Sequence, residues 1–148
     1  DGVRPCVQSE VITSALDCVR KNGSAITCTP LFETPIMSRD GITIDDVPRR
    51  SQCYTAQAPQ CFRLGDVMEA HGRMRETNPE YKDIVDTCTL MRSLGRTVSI
   101  VEGNRGNIKV TTPEDLYTFR AMIQYKETEQ VFGFADREVV GRLKKMEG

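Results

Sequence analysis

The stretch Asn107-Ile108-Lys109-Val110-Thr111-Thr112-Pro113-Glu114-Asp115-Leu116 decides the fold, because it predicts a short buried strand that turns directly into a helix. The hydroxyl of Thr112 suits a helix N-cap, and Pro113 suits the first helical position, where no backbone N–H is needed. The two acidic residues that follow complement the positive end of the helix dipole. The predicted helix has one apolar face, made of Leu116, Phe119, Met122 and Ile123.

This predicted strand carries one lysine, Lys109, between the loop 103–107 and the start of the helix. A cation, a loop rich in Gly and Asn, and a helix N-terminus together suit the binding of phosphate. The residues alone leave a second interpretation open, in which Lys109 is a surface lysine on a short strand before a well-capped helix.

Composition excludes several classes of partner. The chain of 148 residues suits one domain with a modest core. Its formal net charge is −1, from 20 basic and 21 acidic residues, so nucleic acid is not an expected partner. No apolar run approaches the roughly 20 residues that a membrane-spanning helix needs. We therefore expect no membrane partner and a cytoplasmic protein.

The six cysteines do not form a metal or disulfide pattern. No C-x-x-C pair occurs, and the sequence contains a single histidine, His71. Most of the cysteines fall in apolar patterns, where Cys behaves as a small buried hydrophobe. We expect reduced, structural thiols, and neither a zinc site nor a thiol nucleophile activated by His71.

The order of predicted elements indicates the α/β class. A first helix over 8–22 has Ser9 as its expected N-cap and Gly23 as its end. Further elements are predicted as strands over 24–29 and 51–58, helices over 64–76 and 80–94, and a strand over 97–101. We expect Pro59 to end the second of these strands, and a last helix to lie around 136–146.

Residues 31–46 have a different pattern, with two short strands on either side of Asp40-Gly41, a strong hairpin-turn signal. Few large apolar residues occur there, so this hairpin, the arm (about 31–50), is expected to project from the body. Open strand edges and half-covered apolar side chains usually pair with another subunit. A homodimer formed through the arm is therefore expected.

Three motifs, in order and spacing, carry a family resemblance. They are Asp-Gly-Val-Arg-Pro at 1–5, the run Val-Pro-Arg-Arg at 47–50 that leads to Ala-Gln-Ala-Pro-Gln-Cys-Phe at 56–62, and the stretch 107–116. The chain resembles the cytidylyltransferases that act on 2-C-methyl-D-erythritol 4-phosphate or ribitol 5-phosphate, from residue 1 to about 126. The resemblance implies a Rossmann-like three-layer nucleotidyltransferase fold with a projecting β-hairpin arm.

The resemblance also indicates which part of such an enzyme this chain matches. Enzymes of that family begin with a strand and a glycine-rich loop, whose arginine and lysine hold the triphosphate of CTP. The sequence contains no G-x-G-x-x-G or Walker pattern. Residues 1–128 are thus expected to match the C-terminal portion of one nucleotidyltransferase domain, with 129–148 as a tail and the N-terminal remainder of the enzyme as a partner.

Site residues follow from the resemblance. It implies that Lys109 is catalytic and stabilises negative charge as the substrate phosphate attacks the α-phosphorus of CTP. Asp1 matches an aspartate associated with Mg²⁺ near the reacting phosphates, and Arg4 matches an arginine that orients groups beside the substrate phosphate. Thr34 and Arg50 match arm residues that grip the polyol phosphate in the site of the neighbouring subunit.

Asp86 matches an acidic residue close to the substrate hydroxyls, and three positions depart from the family pattern. Ala58 and Val85 each replace a common threonine, and Gly106 occupies a place that is often acidic in the methylerythritol enzymes. The losses at Ala58 and Val85 leave the exact polyol open, while the Pro48-x-Arg50 run and the absent acid at position 106 favour the ribitol branch. Two functions stay open: an enzyme that makes a CDP-polyol from CTP, and a non-catalytic dimerisation or binding fragment of the same fold.

Overall fold

The computed structural model describes the backbone of residues 2–132 and the side chains of residues 2–128. The chain forms two compact units, the first ending at Asn107 and the second beginning at Ile108. The predicted α/β class is confirmed. The first unit contains α1 (Ser9–Asn22), β1 (Ser24–Pro30), a 3₁₀ turn (Arg50–Gln52), β2 (Tyr54–Phe62), α2 (Leu64–Thr77), α3 (Thr87–Ser93) and β3 (Ile100–Glu102).

The three strands make one mixed sheet in the order β2-β1-β3. Strand β1 lies in the centre, antiparallel to β2 and parallel to β3, and it is buried along its length except at Pro30. Burial on both faces is typical of a central strand in an α/β sheet. The sheet therefore fixes β1 as the element around which the first unit is built.

Strand β2 does not end at Pro59, so that prediction was wrong. The strand continues to Phe62, and the β1–β2 register shifts between Ile26 and Cys28. A bulge of this kind accommodates a proline, which has no N–H to give to the ladder. The Thr27 hydroxyl donates to the carbonyl of Pro59 at 2.9 Å.

Helix α1 covers one face of the sheet, with Ala15 packed in a cluster with Ala25 and Val101. Its predicted end at Gly23 is confirmed, because Gly23 adopts a left-handed φ of 83° and its N–H donates to the carbonyl of Val19. The prediction of Ser9 as N-cap was wrong. Ser9 is the first helical residue, and the cap position, one residue earlier, makes no side-chain cap bond.

The second of the paired helices is shorter than predicted. Only α3 forms within the expected 80–94, because Tyr81 (φ 53°) and Asp83 (φ 64°) adopt left-handed conformations that a right-handed helix cannot contain. Asp86 is the N-cap of α3 and accepts the N–H of Thr89 at 2.7 Å. The core beside α2 and α3 contains Ala70, Met74, Leu90 and Met91.

The arm has its predicted turn but not its predicted strands. A single bridge joins Met37 to Asp46. The Asp40 carboxylate accepts the N–H groups of Ile42 and Thr43, both at 2.8 Å, and Gly41 adopts a φ of 71°. These hydrogen bonds to the carboxylate, above all the one from the Thr43 N–H, hold the pKa of Asp40 well below its ordinary value.

In the second unit, α4 (Pro113–Phe132) begins as predicted. Thr112 Oγ1 accepts the N–H of Asp115 at 3.3 Å, while the Asp115 carboxylate accepts the N–H of Thr112 at 2.8 Å. The predicted strand before it was wrong: residues 108–111 have no strand structure, and Lys109 is exposed. The predicted helix around 136–146 lies outside the described residues.

The described helices also bear on the membrane expectation: none of them combines the length and the apolar character that crossing a bilayer requires. All six cysteines are free thiols; Cys28 is buried, and the other five are partly buried. Burial raises the pKa of Cys28, Cys61 and Cys88.

Candidate active site

A cleft of about 450 Å³ opens in the first unit, and two of the predicted site residues line it. Arg4 contributes a cation and Asp86 contributes a carboxylate. We call this hollow the Arg4–Asp86 cleft. Its lining is completed by Val7, Ile12, Ala58, Pro59, Gln60 and Thr87.

Both oxygens of Asp86 are fixed by hydrogen bonds. Oδ1 accepts from the N–H and the hydroxyl of Thr89, each at 2.7 Å, and Oδ2 accepts from Gln60 Nε2 at 2.7 Å. Burial raises the pKa of this carboxyl, but the bonds from Gln60 and Thr89 outweigh burial, so the pKa of Asp86 lies below its ordinary value. Asp86 is therefore an ionised acceptor in a set orientation.

Gln60 is a site residue that the sequence did not single out. Its Oε1 accepts the backbone N–H of Cys88 at 3.2 Å, while its Nε2 donates to Asp86. The amide thus joins β2 to the first turn of α3. Its place in the quoted run 56–62 was the only sequence signal, and a glutamine in a strand carries little information on its own.

Arg4 is half-buried, and its Nη1 donates to the backbone carbonyl of Asn107 at 2.6 Å. Its Nε is buried and has no hydrogen-bond partner among the described residues. Burial lowers the pKa of the Arg4 guanidinium, although an arginine stays protonated in proteins. A held guanidinium with donors left over suits a planar or tetrahedral anion.

The arm residues do not line the Arg4–Asp86 cleft. Thr34 and Arg50 are both exposed, and Arg50 Nη1 donates to the carbonyl of Phe32 at 3.0 Å. The guanidinium of Arg105 lies 4.0 Å from the centroid of the Phe32 ring, a cation–π contact. Phe32 and Arg105 help to line a separate hollow of about 300 Å³ at the base of the arm.

The two remaining predicted residues have other placements. Asp1 lies outside the described residues. Lys109 belongs to the second unit, where its side chain is exposed. The structure therefore brings Arg4 and Asp86 together, and the roles of Asp1, Lys109, Thr34 and Arg50 stay predictions.

The described residues do not form a metal cage. Within the part of the chain that the structure describes, no three His, Cys, Asp or Glu side chains cluster as ligands. Asp86, the acid of the cleft, already accepts hydrogen bonds on both oxygens. A Mg²⁺ ion that keeps several waters and binds substrate phosphates needs only one or two carboxylates. Such an ion would have to rely mainly on a phosphate ligand here.

Comparison with known proteins identifies the family of this chain. The model of the family described as IspD, 2-C-methyl-D-erythritol 4-phosphate cytidylyltransferase, matches residues 1–125. The chain belongs to this family. The resemblance seen in the three sequence motifs is confirmed, and the match includes both units as far as most of α4.

Curated relatives within the IspD family have two kinds of name. A ribitol-5-phosphate cytidylyltransferase of Vibrio parahaemolyticus is 40% identical over 133 residues, which are 90% of this chain and 55% of the relative. A 2-C-methyl-D-erythritol 4-phosphate cytidylyltransferase of Geobacter metallireducens is 37% identical over 126 residues, 85% of this chain and 53% of the relative. The chain spans about half the length of these relatives. Their names describe enzymes and do not favour the non-catalytic alternative.

Solved structures of the IspD family share the fold. The 4-diphosphocytidyl-2C-methyl-D-erythritol synthase of Anaerococcus prevotii has a TM-score of 0.75 at 29% identity, over 84% of this chain and 56% of that one. The 2-C-methyl-D-erythritol 4-phosphate cytidylyltransferase of Thermus thermophilus has a TM-score of 0.70 at 27% identity, over 82% of this chain and 58% of that one. The α/β architecture described above is therefore that of IspD enzymes.

Proposed function

We propose that the protein containing this chain is a CTP-dependent cytidylyltransferase that converts a polyol phosphate to the CDP-polyol. An oxygen of the polyol phosphate attacks the α-phosphorus of CTP, the new P–O–P linkage forms, and pyrophosphate leaves. Ribitol 5-phosphate is the substrate that we favour over 2-C-methyl-D-erythritol 4-phosphate. The Pro48-x-Arg50 run and the absent acid at Gly106, together with relatives named for ribitol 5-phosphate at 38–40% identity, support that choice.

The observation that carries this proposal is the shared lining of the Arg4–Asp86 cleft. Arg4 supplies N–H donors and positive charge for a phosphate, while the ionised Asp86 can accept hydrogen bonds from hydroxyl groups. A polyol phosphate has both kinds of group on one small molecule. Such transfers depend mainly on positioning and on charge stabilisation, which fixed side chains provide.

The remaining roles in this proposal derive from the family. Lys109 stabilises the charge that develops at the α-phosphorus, and Asp1 would help to hold a Mg²⁺ ion. Mg²⁺ would supply neutralisation of phosphate charge. The part of the relatives that this chain does not match is proposed to hold the nucleotide, and a cytoplasmic location is part of the proposal.

A homodimer through the arm also belongs to this proposal. The arm carries exposed apolar side chains, which a second copy could cover. In such a dimer Thr34 and Arg50 would reach the polyol phosphate of the neighbouring subunit. The exposed apolar residues of the arm are Phe32, Ile36, Met37, Ile42, Ile44 and Val47.

A pyrophosphate-release assay on the intact protein tests the activity. With CTP and Mg²⁺, we expect turnover on ribitol 5-phosphate and a lower kcat/KM on 2-C-methyl-D-erythritol 4-phosphate. Absence of pyrophosphate release with both phosphates would refute the enzyme assignment. A higher kcat/KM on 2-C-methyl-D-erythritol 4-phosphate would make that compound the substrate instead of ribitol 5-phosphate.

Lys109→Ala tests the catalytic role, with Lys126→Ala as a matched control on an exposed lysine of the same unit. We expect the first variant to lose about 10²–10³-fold in kcat, the size typical of a lost charge-stabilising donor, with little change in thermal stability. The control should keep the rate of the wild type. A near-normal rate for Lys109→Ala would show that this exposed lysine has no catalytic role.

A further inference from the structure

Asn107 is a fully buried polar residue for which the sequence predicted no functional role. Its side chain is 0% exposed, and its Nδ2 donates to the carbonyl of Ala58 at 2.7 Å. The backbone N–H of Asn107 donates to the carbonyl of Asn104 at 3.2 Å. Burial of an amide side chain is costly unless it is hydrogen-bonded, so a buried asparagine indicates a specific structural task.

The same residue holds Arg4. The carbonyl of Asn107 accepts Arg4 Nη1 at 2.6 Å, a bond between residues 103 positions apart in the sequence. Asn107 thereby connects two parts of the lining of the Arg4–Asp86 cleft, the guanidinium on one side and the carbonyl of Ala58 on the other. Bonds to a charged donor are short and about twice as strong as neutral ones, so this contact restricts the orientation of the guanidinium.

Two polar atoms of this pair have no hydrogen-bond partner in the described part of the chain. They are Arg4 Nε, a donor, and Asn107 Oδ1, an acceptor, and both are buried. Most buried polar atoms in proteins are paired, and exceptions deserve a functional explanation. Arg4 Nε is out of reach of an anion, but Arg4 lines the cleft and its guanidinium bonds the Asn107 carbonyl through Nη1, so the other Nη N–H groups can meet an anion without displacing that bond.

We propose that Asn107 is a positioning residue, which holds Arg4 so that the free donors of its guanidinium meet the phosphate of the polyol phosphate. This proposal rests on the proposed function. Asn107 itself touches no substrate; it acts through its bonds to Arg4 and to Ala58, which both line the cleft. An aspartate could not replace it, because a carboxylate lacks the amide donor and would place its negative charge against the partially negative oxygen of the Ala58 carbonyl.

The kinetic test compares Asn107→Ala and Asn107→Asp with the control Asn104→Ala in the same loop. Among the described residues, the Asn104 side chain hydrogen-bonds only Gln8. The substrate phosphate is bound similarly before and during the reaction, so we expect KM for ribitol 5-phosphate to rise about tenfold or more. KM for CTP should change less than threefold, and Asn104→Ala should behave as the wild type. Equal rises in both KM values, or a fall in kcat alone, would overturn the positioning role.

A double-mutant cycle with Arg4→Lys separates positioning from general damage. If Asn107 acts through Arg4, the two losses in affinity for ribitol 5-phosphate are not additive, and Asn107→Ala has little effect once Arg4 is lysine. Additive losses would mean that the two residues act independently, and the proposal would fail.

A measurement without turnover keeps this test separate from that of the proposed function. The side-chain Nε–H resonance of Arg4 reports the environment and solvent protection of the guanidinium. It can be assigned in ¹⁵N-arginine-labelled intact protein as the resonance that disappears in Arg4→Lys. We expect slow hydrogen exchange in the wild type and fast exchange or a displaced resonance in Asn107→Ala, even if no polyol phosphate is turned over. An unchanged resonance in the folded variant would exclude the role of Asn107.

Discussion

Gln60 and Asp86 form a fixed pair in the cleft: Gln60 Nε2 donates to Asp86 Oδ2 at 2.7 Å. The other end of the glutamine amide accepts the N–H of Cys88 at 3.2 Å, so turning the amide round would break both bonds. The orientation of Gln60 is thus set by the backbone at the start of α3. Asp86 consequently has one stable hydrogen-bonded arrangement in which it is ionised.

Gln60→Glu should break the hydrogen bond between residues 60 and 86. A second carboxylate beside Asp86 removes the donor and adds like charge, so the pKa of Asp86 should rise and the free energy of unfolding at neutral pH should fall by about 1–3 kcal/mol. Carboxyl-carbon NMR titration and urea denaturation measure the two effects. Gln124→Glu, the same change at an exposed position of α4, is the control; equal effects from both variants would exclude a specific Gln60–Asp86 interaction.

The lowered pKa of Asp86 also predicts a pH dependence of stability. A carboxyl whose folded pKa lies below its unfolded pKa stabilises the protein above the unfolded value, and this stability is lost as the pH falls through the folded value. We therefore expect Asp86→Asn to reduce the loss of unfolding free energy between about pH 5 and pH 3, measured by urea denaturation at each pH. Asp17→Asn removes an exposed i,i+3 ion pair and should leave that slope nearly unchanged; an acid slope for Asp86→Asn equal to that of the wild type would contradict the prediction.

Local signals in the sequence predicted those elements whose ends depend on nearby residues. Gly23 ends α1 and Thr112-Pro113 begins α4, because capping involves atoms only a few residues apart. The helix expected over 80–94 was too long, since left-handed conformations at Tyr81 and Asp83 have no apolar-spacing signal.

The candidate site was predictable only in part. Arg4 was found in a family motif and Asp86 by its match to the family outside the motifs, and the structure brings them to one cleft. Asn107 and Gln60 were missed as site residues because their roles depend on distant partners. The bond from Arg4 to Asn107 joins residues 103 positions apart, and the bond from Asn107 to Ala58 joins residues 49 apart. Periodicity within a short window contains no information on such contacts.

Thr112→Ala tests the cap of α4. The hydroxyl of Thr112 accepts the N–H of Asp115, and loss of a threonine N-cap typically costs about 1 kcal/mol. We expect faster amide hydrogen exchange in the first turn of α4, with the middle of the helix little affected. Thr118→Ala is the control, because its hydroxyl only donates to the carbonyl of Glu114 within the helix; equal exchange in the first turn of both variants would show that Thr112 does not cap α4.

Gly103→Ala tests how tightly the loop before Asn107 fits against the sheet. The N–H of Gly103 donates to the carbonyl of Cys28 at 2.8 Å, and an added Cβ would overlap Gln57 Oε1 and lie 2.7 Å from Thr27 Cγ2. Overpacking of this kind typically costs about 1–3 kcal/mol, and a shifted loop would also move Asn107.

We therefore expect Gly103→Ala to lower the free energy of unfolding and to raise KM for ribitol 5-phosphate together. Gly72→Ala is a control of opposite sign: a Cβ there meets nothing within 4 Å, and alanine stabilises a helix interior by about 0.5–1 kcal/mol relative to glycine. Urea denaturation of both variants measures the difference. If Gly103→Ala were as stable as Gly72→Ala and bound substrate normally, the loop would have room to adjust, and its fit against β1 and β2 would not determine the position of Asn107.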